Sequence, residues 1–360
     1  MPFCVHRCGY CDFVTAVGRQ NQHASYVEAV LRELELERPL LAESLETVYV
    51  GGGTPTFTER EALERLLSAL PAAEEVSVEA NPETVTPDVS ALLRERGVNR
   101  VSLGAQSFQP HLLSVLERRA GPDDVRRAVH TLRDAGFDNI SLDLLYGIPG
   151  QSPADLDADI DSALALQPEH LSCYELEAKP GTRFTHGWGD ELECQAEAME
   201  GYFEQVVERL TEAGYRWYET ANFALASERA RGRDFRSRHN LAYWLGRDYL
   251  GLGIGAVSTV EGLRWQNGPR LAAYHEALLA GDPPPREPEP LTADVVLQER
   301  VMLGLRLDEP LPLAGIEHAL DRAALARLQQ LELVETNAST LRLTPRGRRL
   351  GAGVTAELLA

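Results

Sequence analysis

Three cysteines stand close together near the start of the chain: Cys4, Cys8 and Cys11, spaced Cys-x3-Cys-x2-Cys. Thiolates on one short loop are the ligands that an iron–sulfur cluster takes. Three of them on a four-iron cube leave one iron open to a small ligand, which a cluster that only relays electrons does not need. Structural zinc is the alternative, but a tetrahedral ion asks for a fourth ligand and a paired second knuckle. His6 lies inside the loop, poorly placed to close such a site, and no second CxxC-like pair follows. The other two of the five cysteines, Cys173 and Cys194, are distant from the loop and from each other. An odd count clustered in this way points to metal or redox chemistry rather than to a disulfide framework.

The segments after the loop show what must position it. An amphipathic helix is predicted over Tyr26–Leu41, and the run Thr47–Val50 reads as a strand that ends in three glycines. The alternation then repeats. Helices are predicted at Arg60–Leu70, Asp88–Arg96, Asp123–Ala135 and Pro153–Leu166, and strands at Val76–Ala80, Arg100–Leu103, Asn139–Leu145 and Leu171–Leu176. Helix Gln195–Ala213 and strand Tyr215–Ala221 extend the series. Strands alternating with helices imply parallel βαβ units, whose functional residues gather at the carboxyl ends of the strands. Those ends carry Gly51–Thr54, Glu79–Pro82, Gln106, Asp143 and Tyr174–Glu177, mostly polar or glycine. Five or six units are too few for a closed eight-stranded barrel. The expected fold is therefore α/β, a partial (β/α)6 TIM-like barrel, followed by a small winged-helix-like α domain. In residue numbers, the barrel spans 1–222, an extension 223–280, a proline-rich linker 281–291, and the C-terminal domain 292–360.

Composition narrows the function classes. With 35 basic and 55 acidic residues the formal net charge is −20, which disfavours sequence-independent binding to nucleic acid. The C-terminal domain has roughly balanced charge, so packing or partner docking is favoured there over DNA binding. No apolar run is long enough to span a bilayer and no charged-then-apolar leader precedes the motif, so a cytoplasmic protein is expected.

The segment Pro2-Phe3-Cys4-Val5-His6-Arg7-Cys8-Gly9-Tyr10-Cys11-Asp12-Phe13 resembles the cluster loop of the radical S-adenosylmethionine superfamily, and more narrowly of the oxygen-independent coproporphyrinogen III oxidase family. The likeness continues through Gly51-Gly52-Gly53-Thr54-Pro55-Thr56, Glu79-Ala80-Asn81-Pro82, Ser102–Phe108 and Asp143–Gly150. It extends to Tyr218-Glu219, His239-Asn240-x-x-Tyr243-Trp244 and Gly251–Ala256. The resemblance implies that Cys4, Cys8 and Cys11 ligate a 4Fe–4S cluster and that S-adenosylmethionine binds its open iron. It implies Tyr10 and Val257 beside the adenine, Gly51, Gly52 and Gly53 against the methionine moiety, a hydroxyl contact from Thr54, and Glu79 accepting from the cofactor. Gln106, Arg118 and Asp143 match positions that contact its ribose and carboxylate. Reductive cleavage of the cofactor in this superfamily yields a radical that abstracts hydrogen.

Two branches of that family differ at one position. The coproporphyrinogen dehydrogenases carry a further cysteine two residues after the third, where this chain has Phe13. Cys-Asp-Phe, the shorter length and the His-Asn-x-x-Tyr-Trp motif are similar to the HemW branch of haem chaperones, which implies His239 as an axial ligand of haem. Taken alone, one histidine near two aromatics more often serves packing. Arg229, Arg231, Arg233, Arg236 and Arg238 precede it, a basic run suited to tetrapyrrole propionates or else a solvated loop. The implied partners are haem or another tetrapyrrole, a haem-accepting protein such as a membrane-associated respiratory enzyme, and a protein reductant, with no nucleic acid. The alternative activity is radical decarboxylation of coproporphyrinogen III to protoporphyrinogen IX. Relatives carry a strand and a Tyr-x-His-x-Pro-Phe-Cys run before the first cysteine, so the natural start is expected upstream of Met1.

Overall fold

Placed in three dimensions by a computed structural model, the β/α segments form one open sheet with helices on its outer face. The structure describes residues 1–177, 179–188, 191, 195–196 and 198–359; Cys194 lies outside them. At the N-terminus β1 (Phe3–Cys4) and β2 (Ala16–Val17) pair in parallel and bracket the cysteine loop. Next come β3 (Leu45–Val50), β4 (Ala73–Ala80), β5 (Arg100–Gln106), β6 (Ile140–Tyr146) and β7 (His170–Glu175), parallel and adjacent in that order. Val50, Val78, Val101 and Ile140 fall in register across four of them.

The helices between them begin where capping chemistry allows. In chain order these are α1 (His23–Glu37), α2 (Arg60–Ala69), α3 (Pro87–Glu95), α4 (Pro110–Val115), α5 (Pro122–Asp134) and α6 (Pro153–Ala165). Thr86 caps α3 and Ser152 caps α6, each followed by proline at the first helical position, where no backbone N–H is missed. Their apolar stripes bury Leu63, Leu92, Leu132 and Ile160 against Val78, Leu103 and Leu142. Side chains alternate along a strand, so the other face turns inward. That inner face is polar: Arg100 and Ser141 both reach His170 Nδ1, at 3.3 and 2.8 Å, and His170 Nε2 meets the Tyr218 hydroxyl at 2.9 Å.

Two expectations are corrected here. The segment Tyr215–Ala221 is not a sixth parallel strand. After α7 (Arg183–Gly187) and α8 (Met199–Glu212) the chain forms β8 (Tyr215–Trp217) and β9 (Asn222–Leu225), antiparallel to each other, with β9 antiparallel to β7. The sheet stays open, with β3 and β8 as its edges. At the β3 edge the chain start docks instead of a full strand: Gly53 N donates to Met1 O at 2.6 Å and Thr54 N to Phe3 O at 2.8 Å. The second correction concerns the proline-rich linker. After α9 (Arg238–Trp244), β10 (Val257–Val260), β11 (Leu263–Asn267) and α10 (Leu271–Ala280), residues Arg286–Pro290 form β12, paired along its length with β11. Proline is tolerated because β12 is an edge strand with one neighbour. Arg286 ties it down, paired with Glu37 at 2.7 Å and stacked over Trp265.

The C-terminal residues carry α11 (Ala293–Gly304), β13 (Leu311–Pro312), α12 (Arg322–Gln330), the hairpin β14 (Val334–Thr336) and β15 (Thr340–Leu343), α13 (Pro345–Arg349) and α14 (Gly351–Leu358). They have a core of their own, including Val301, Leu328, Leu341 and Leu358. A 3-10 turn at Glu317–Ala319 lies between α11 and α12. Among the described residues no helix is long and apolar enough to cross a membrane.

Candidate functional site

The cysteine loop lies across the carboxyl ends of the strands and is pinned at several points. Cys11 N closes a turn onto Cys8 O at 3.3 Å, and the Arg7 guanidinium donates to Cys11 O at 3.0 and 3.2 Å. Arg183 of α7 donates to Arg7 O at 2.7 Å and pairs with Glu117, and Phe184 N donates to Gly9 O at 3.2 Å. Gly9 packs closely there: a Cβ would come within 2.9 Å of the Glu117 carboxylate and 3.2 Å of the Phe184 ring. Tyr10 packs edge-on against Phe184, with centroids 6.2 Å apart.

Cys4 is buried and Cys8 and Cys11 are half-buried; burial pushes the Cys4 and Cys11 thiols up. Ligation of a cluster requires the thiolate form, so the cluster's own charge must offset that burial. Among the described residues no three His, Cys, Asp or Glu side chains converge on the single point that one tetrahedral ion would occupy. A cube, by contrast, takes its thiolates at separate corners.

Around the loop stand most of the residues read from the sequence. Thr54 Oγ1 donates to Cys4 Sγ at 3.5 Å and accepts from Asn81 Nδ2 at 3.0 Å. Arg118 reaches Cys8 Sγ at 3.8 Å, Gly104 O at 2.7 Å and Asn81 Oδ1 at 3.0 Å. Glu79 accepts from the Tyr49 hydroxyl at 2.5 Å and from Gly52 N at 2.9 Å. Asp143 accepts from Ser102 at 3.1 Å. Burial pushes both carboxyls above their ordinary range, against the hydrogen bonds that oppose it. Gln106 closes β5 in a left-handed conformation (φ 66°) that lifts it out of the ladder at a bulge. These groups fit a polar, partly cationic ligand beside the loop: two half-buried carboxylates are present, and Arg118 Nε is buried without a protein partner.

The three glycines have a role that the sequence did not show. A Cβ on Gly52 or Gly53 would come within 2.8 Å of the Met1 or Pro2 backbone, so the turn accepts the chain's own first residues. Met1 N donates to Gly51 O at 2.7 Å.

Two residues stand apart. Val257 heads β10 on a separate three-stranded sheet and is exposed. His239 faces the inner surface of β3, where its Nδ1 meets Thr47 Oγ1 at 3.0 Å. Its ring stacks on Tyr49 (4.6 Å, 11°) and meets Tyr243 edge-on at 4.9 Å. Tyr49 therefore touches both His239 and Glu79. Burial, with Arg100 adding to it, lowers the His239 pKa to about 4, so the imidazole is neutral.

The basic run before His239 does not form an anion cradle. Arg229 donates to Ala213 O, Arg233 pairs with Asp138 at 2.6 Å, Arg236 with Asp234 and Glu309, and Arg238 with Glu74 at 2.6 Å. Tyr49, Asn81, Arg183 and Glu117 were not singled out as site residues from the sequence. Only Asn81 carried a signal, inside the Glu-Ala-Asn-Pro run at a strand end.

Comparison with known proteins agrees with this arrangement. The chain matches the Radical SAM superfamily over residues 1–163 and the HemN C-terminal domain over residues 291–350. It is 37% identical over 371 residues to a heme chaperone HemW of Mycobacterium tuberculosis, covering 100% of this chain and 93% of that one. It is 32% identical over 369 residues to a heme chaperone HemW of Bacillus subtilis, covering 98% and 95%. In fold it is similar to the coproporphyrinogen III oxidase HemN of Escherichia coli, with a TM-score of 0.82 at 24% identity over 99% of this chain and 88% of that one. Membership of the superfamily implies a 4Fe–4S cluster and S-adenosylmethionine. The cysteine loop at the strand mouth, the polar groups ranged round it and these full-length likenesses agree: the chain belongs to the HemW family of radical S-adenosylmethionine proteins.

Proposed function

We propose that this chain is a haem chaperone that binds haem and passes it to an acceptor protein. The observation that carries the reading is the near full-length similarity to relatives named heme chaperone HemW. Cys4, Cys8 and Cys11 would hold the cluster. Tyr10, the Gly51–Gly53 turn, Thr54, Glu79, Gln106, Arg118 and Asp143 would surround S-adenosylmethionine. When bound, cluster and cofactor supply one-electron reductive chemistry.

The chain's own residues orient and shield. Arg118 spans from the loop to the β5 backbone, Glu79 is fixed by two donors, and Tyr10 covers the loop on Phe184. His239 supports the haem role because it is a neutral imidazole, the form that ligates iron, and Thr47 occupies Nδ1 so that ligation would use Nε2. Haem, a haem acceptor at a membrane and a protein reductant are the partners of this reading. The free thiols suit a reducing compartment, the cytoplasm. Oxidation of coproporphyrinogen III is not favoured, since Phe13 stands where the dehydrogenases carry a cysteine.

The test is a haem titration of cluster-reconstituted protein. Wild type is expected to develop a Soret band that shifts or is lost in His239→Ala, and to form no protoporphyrinogen from coproporphyrinogen III. An unchanged spectrum in His239→Ala removes that residue as ligand. Product formation replaces the chaperone by the oxidase.

A further inference from the structure

A cavity of about 900 Å³ lies where the C-terminal residues meet the barrel, walled by α8 and Trp217 on one side and by α11, α13 and α14 on the other. Its volume is within the range of small-molecule sites, which favour domain junctions and mostly apolar walls with a few polar groups. Met199, Phe203, Trp217, Met302 and Leu331 supply an apolar, partly adaptable wall; both methionines of the chain other than Met1 stand there.

Charge on the wall is uneven. Arg349 is matched by Glu204 at 2.6 Å, and Glu357 by Arg327 at 2.6 Å. Glu175 and Glu200 stand at the rim. Arg348 differs from these: its guanidinium lies 3.6 Å over the Trp217 ring, and its Nη2 is buried with no hydrogen-bond partner. Asp308 and Glu219 act on this guanidinium through space, but neither carboxylate takes its planar fork in a hydrogen bond.

We propose that this cavity binds the macrocycle of a tetrapyrrole, its flat apolar body along Met302 and Leu331 and one propionate on Arg348. The proposal takes the kind of ligand from the chaperone reading and is independent of His239. It adds a tetrapyrrole site between the barrel and the C-terminal residues, distinct from the one that His239 would serve.

Metal-free protoporphyrin IX is the probe, because it carries the ring and the carboxylates but no iron for an imidazole to hold. The full chain is expected to bind it saturably, read by porphyrin fluorescence. Arg348→Gln should weaken binding about tenfold, as loss of one charge-assisted contact does. Met302→Arg, at a half-exposed position of α11, should weaken it as much by filling the cavity. Arg65→Gln on α2, across the molecule, should bind as wild type, and thermal melts check that each variant folds. Absence of saturable binding, or wild-type affinity in both cavity variants, overturns the proposal. Haem titration of His239→Ala is scored separately, so loss of the ligand assignment and loss of the cavity are told apart.

Discussion

The Tyr49 hydroxyl donates to Glu79 while its ring lies flat on His239, so one side chain touches both candidate binding residues. Tyr49→Phe keeps the stack and removes the hydrogen bond. The freed Glu79 oxygen then loses its fixed orientation, and S-adenosylmethionine affinity of the cluster-loaded protein is expected to fall about tenfold, with the haem spectrum retained. Equal affinity in wild type and variant would mean that Glu79 needs no such support. Gly53 permits a different test. A methyl group there meets Pro2 and Phe3 backbone atoms at 2.8–2.9 Å, which cannot rotate away. Gly53→Ala is expected to lower stability by about 2 kcal/mol and to loosen the cluster loop, read by urea denaturation and by iron retained. His239 gives a pH dependence of known sign. Its folded pKa, about 4, is below its ordinary 6.5, so the unfolded chain binds the extra proton. The contribution is present above about pH 6.5 and is lost as pH falls towards 4. The stability gap between wild type and His239→Gln should narrow by about 1.4 kcal/mol per pH unit across that window. A gap that stays constant from pH 7 to pH 4.5 contradicts the buried neutral imidazole.

At the scale of elements, α9 is held to the sheet by its first turn. Arg238 N and His239 N donate to the Glu75 carboxylate at 3.0 and 3.1 Å, and Ser237 caps Asn240 N at 3.3 Å. A carboxylate at a helix N-terminus satisfies amides that have no partner within the helix. Glu75→Ala is expected to cost about 1–2 kcal/mol and to speed amide exchange over 238–244 while β4 stays protected. Uniform protection across both would show that α9 docks through its ring contacts alone. Glu75 itself shows what the sequence concealed. The strands 45–50, 73–80, 100–106, 140–146 and 170–175 were legible because apolar residues alternate with helical stripes at fixed spacing. The cysteine loop, Glu79 and Asp143 were legible because motifs or strand ends carry them, and Arg118 through the family resemblance alone. Glu75, Tyr49, Arg183 and Glu117 act through contacts between distant segments, which no local pattern records. Arg286–Pro290 was misread because proline usually marks a linker, and only pairing with β11 makes it an edge strand. The Tyr215–Ala221 run is aromatic-rich and strand-like, but its direction depends on the turn that follows β8.

Across the whole molecule, the barrel and the C-terminal residues are joined by charge as well as by the cavity wall. Asp308 takes both Arg216 nitrogens at 2.7 and 2.8 Å, and Glu309 bridges Arg216 and Arg236 at 3.1 and 2.5 Å. Arg306 stacks over Trp244 of α9 at 4.2 Å, so the joint also touches the helix that carries His239. Isolated surface pairs contribute little, but a bidentate pair within a network of several charges is worth more. Asp308→Ala leaves Arg216 beside Arg236 with one shared carboxylate, and the joint is expected to open more often at a cost of about 1–2 kcal/mol. Amide exchange should then rise in α11 and α14 and stay unchanged in β4–β6. Metal-free protoporphyrin should bind several-fold more weakly, although Asp308 does not line the cavity. Raising the salt concentration on wild type should move both readouts in the same direction, because these pairs are partly exposed and are screened. If exchange rises in α11 and α14 while porphyrin affinity holds, the joint is separate from the binding wall. If neither changes, the two parts are held by the stacked arginines and apolar contacts, and Arg306→Ala becomes the variant that should release them.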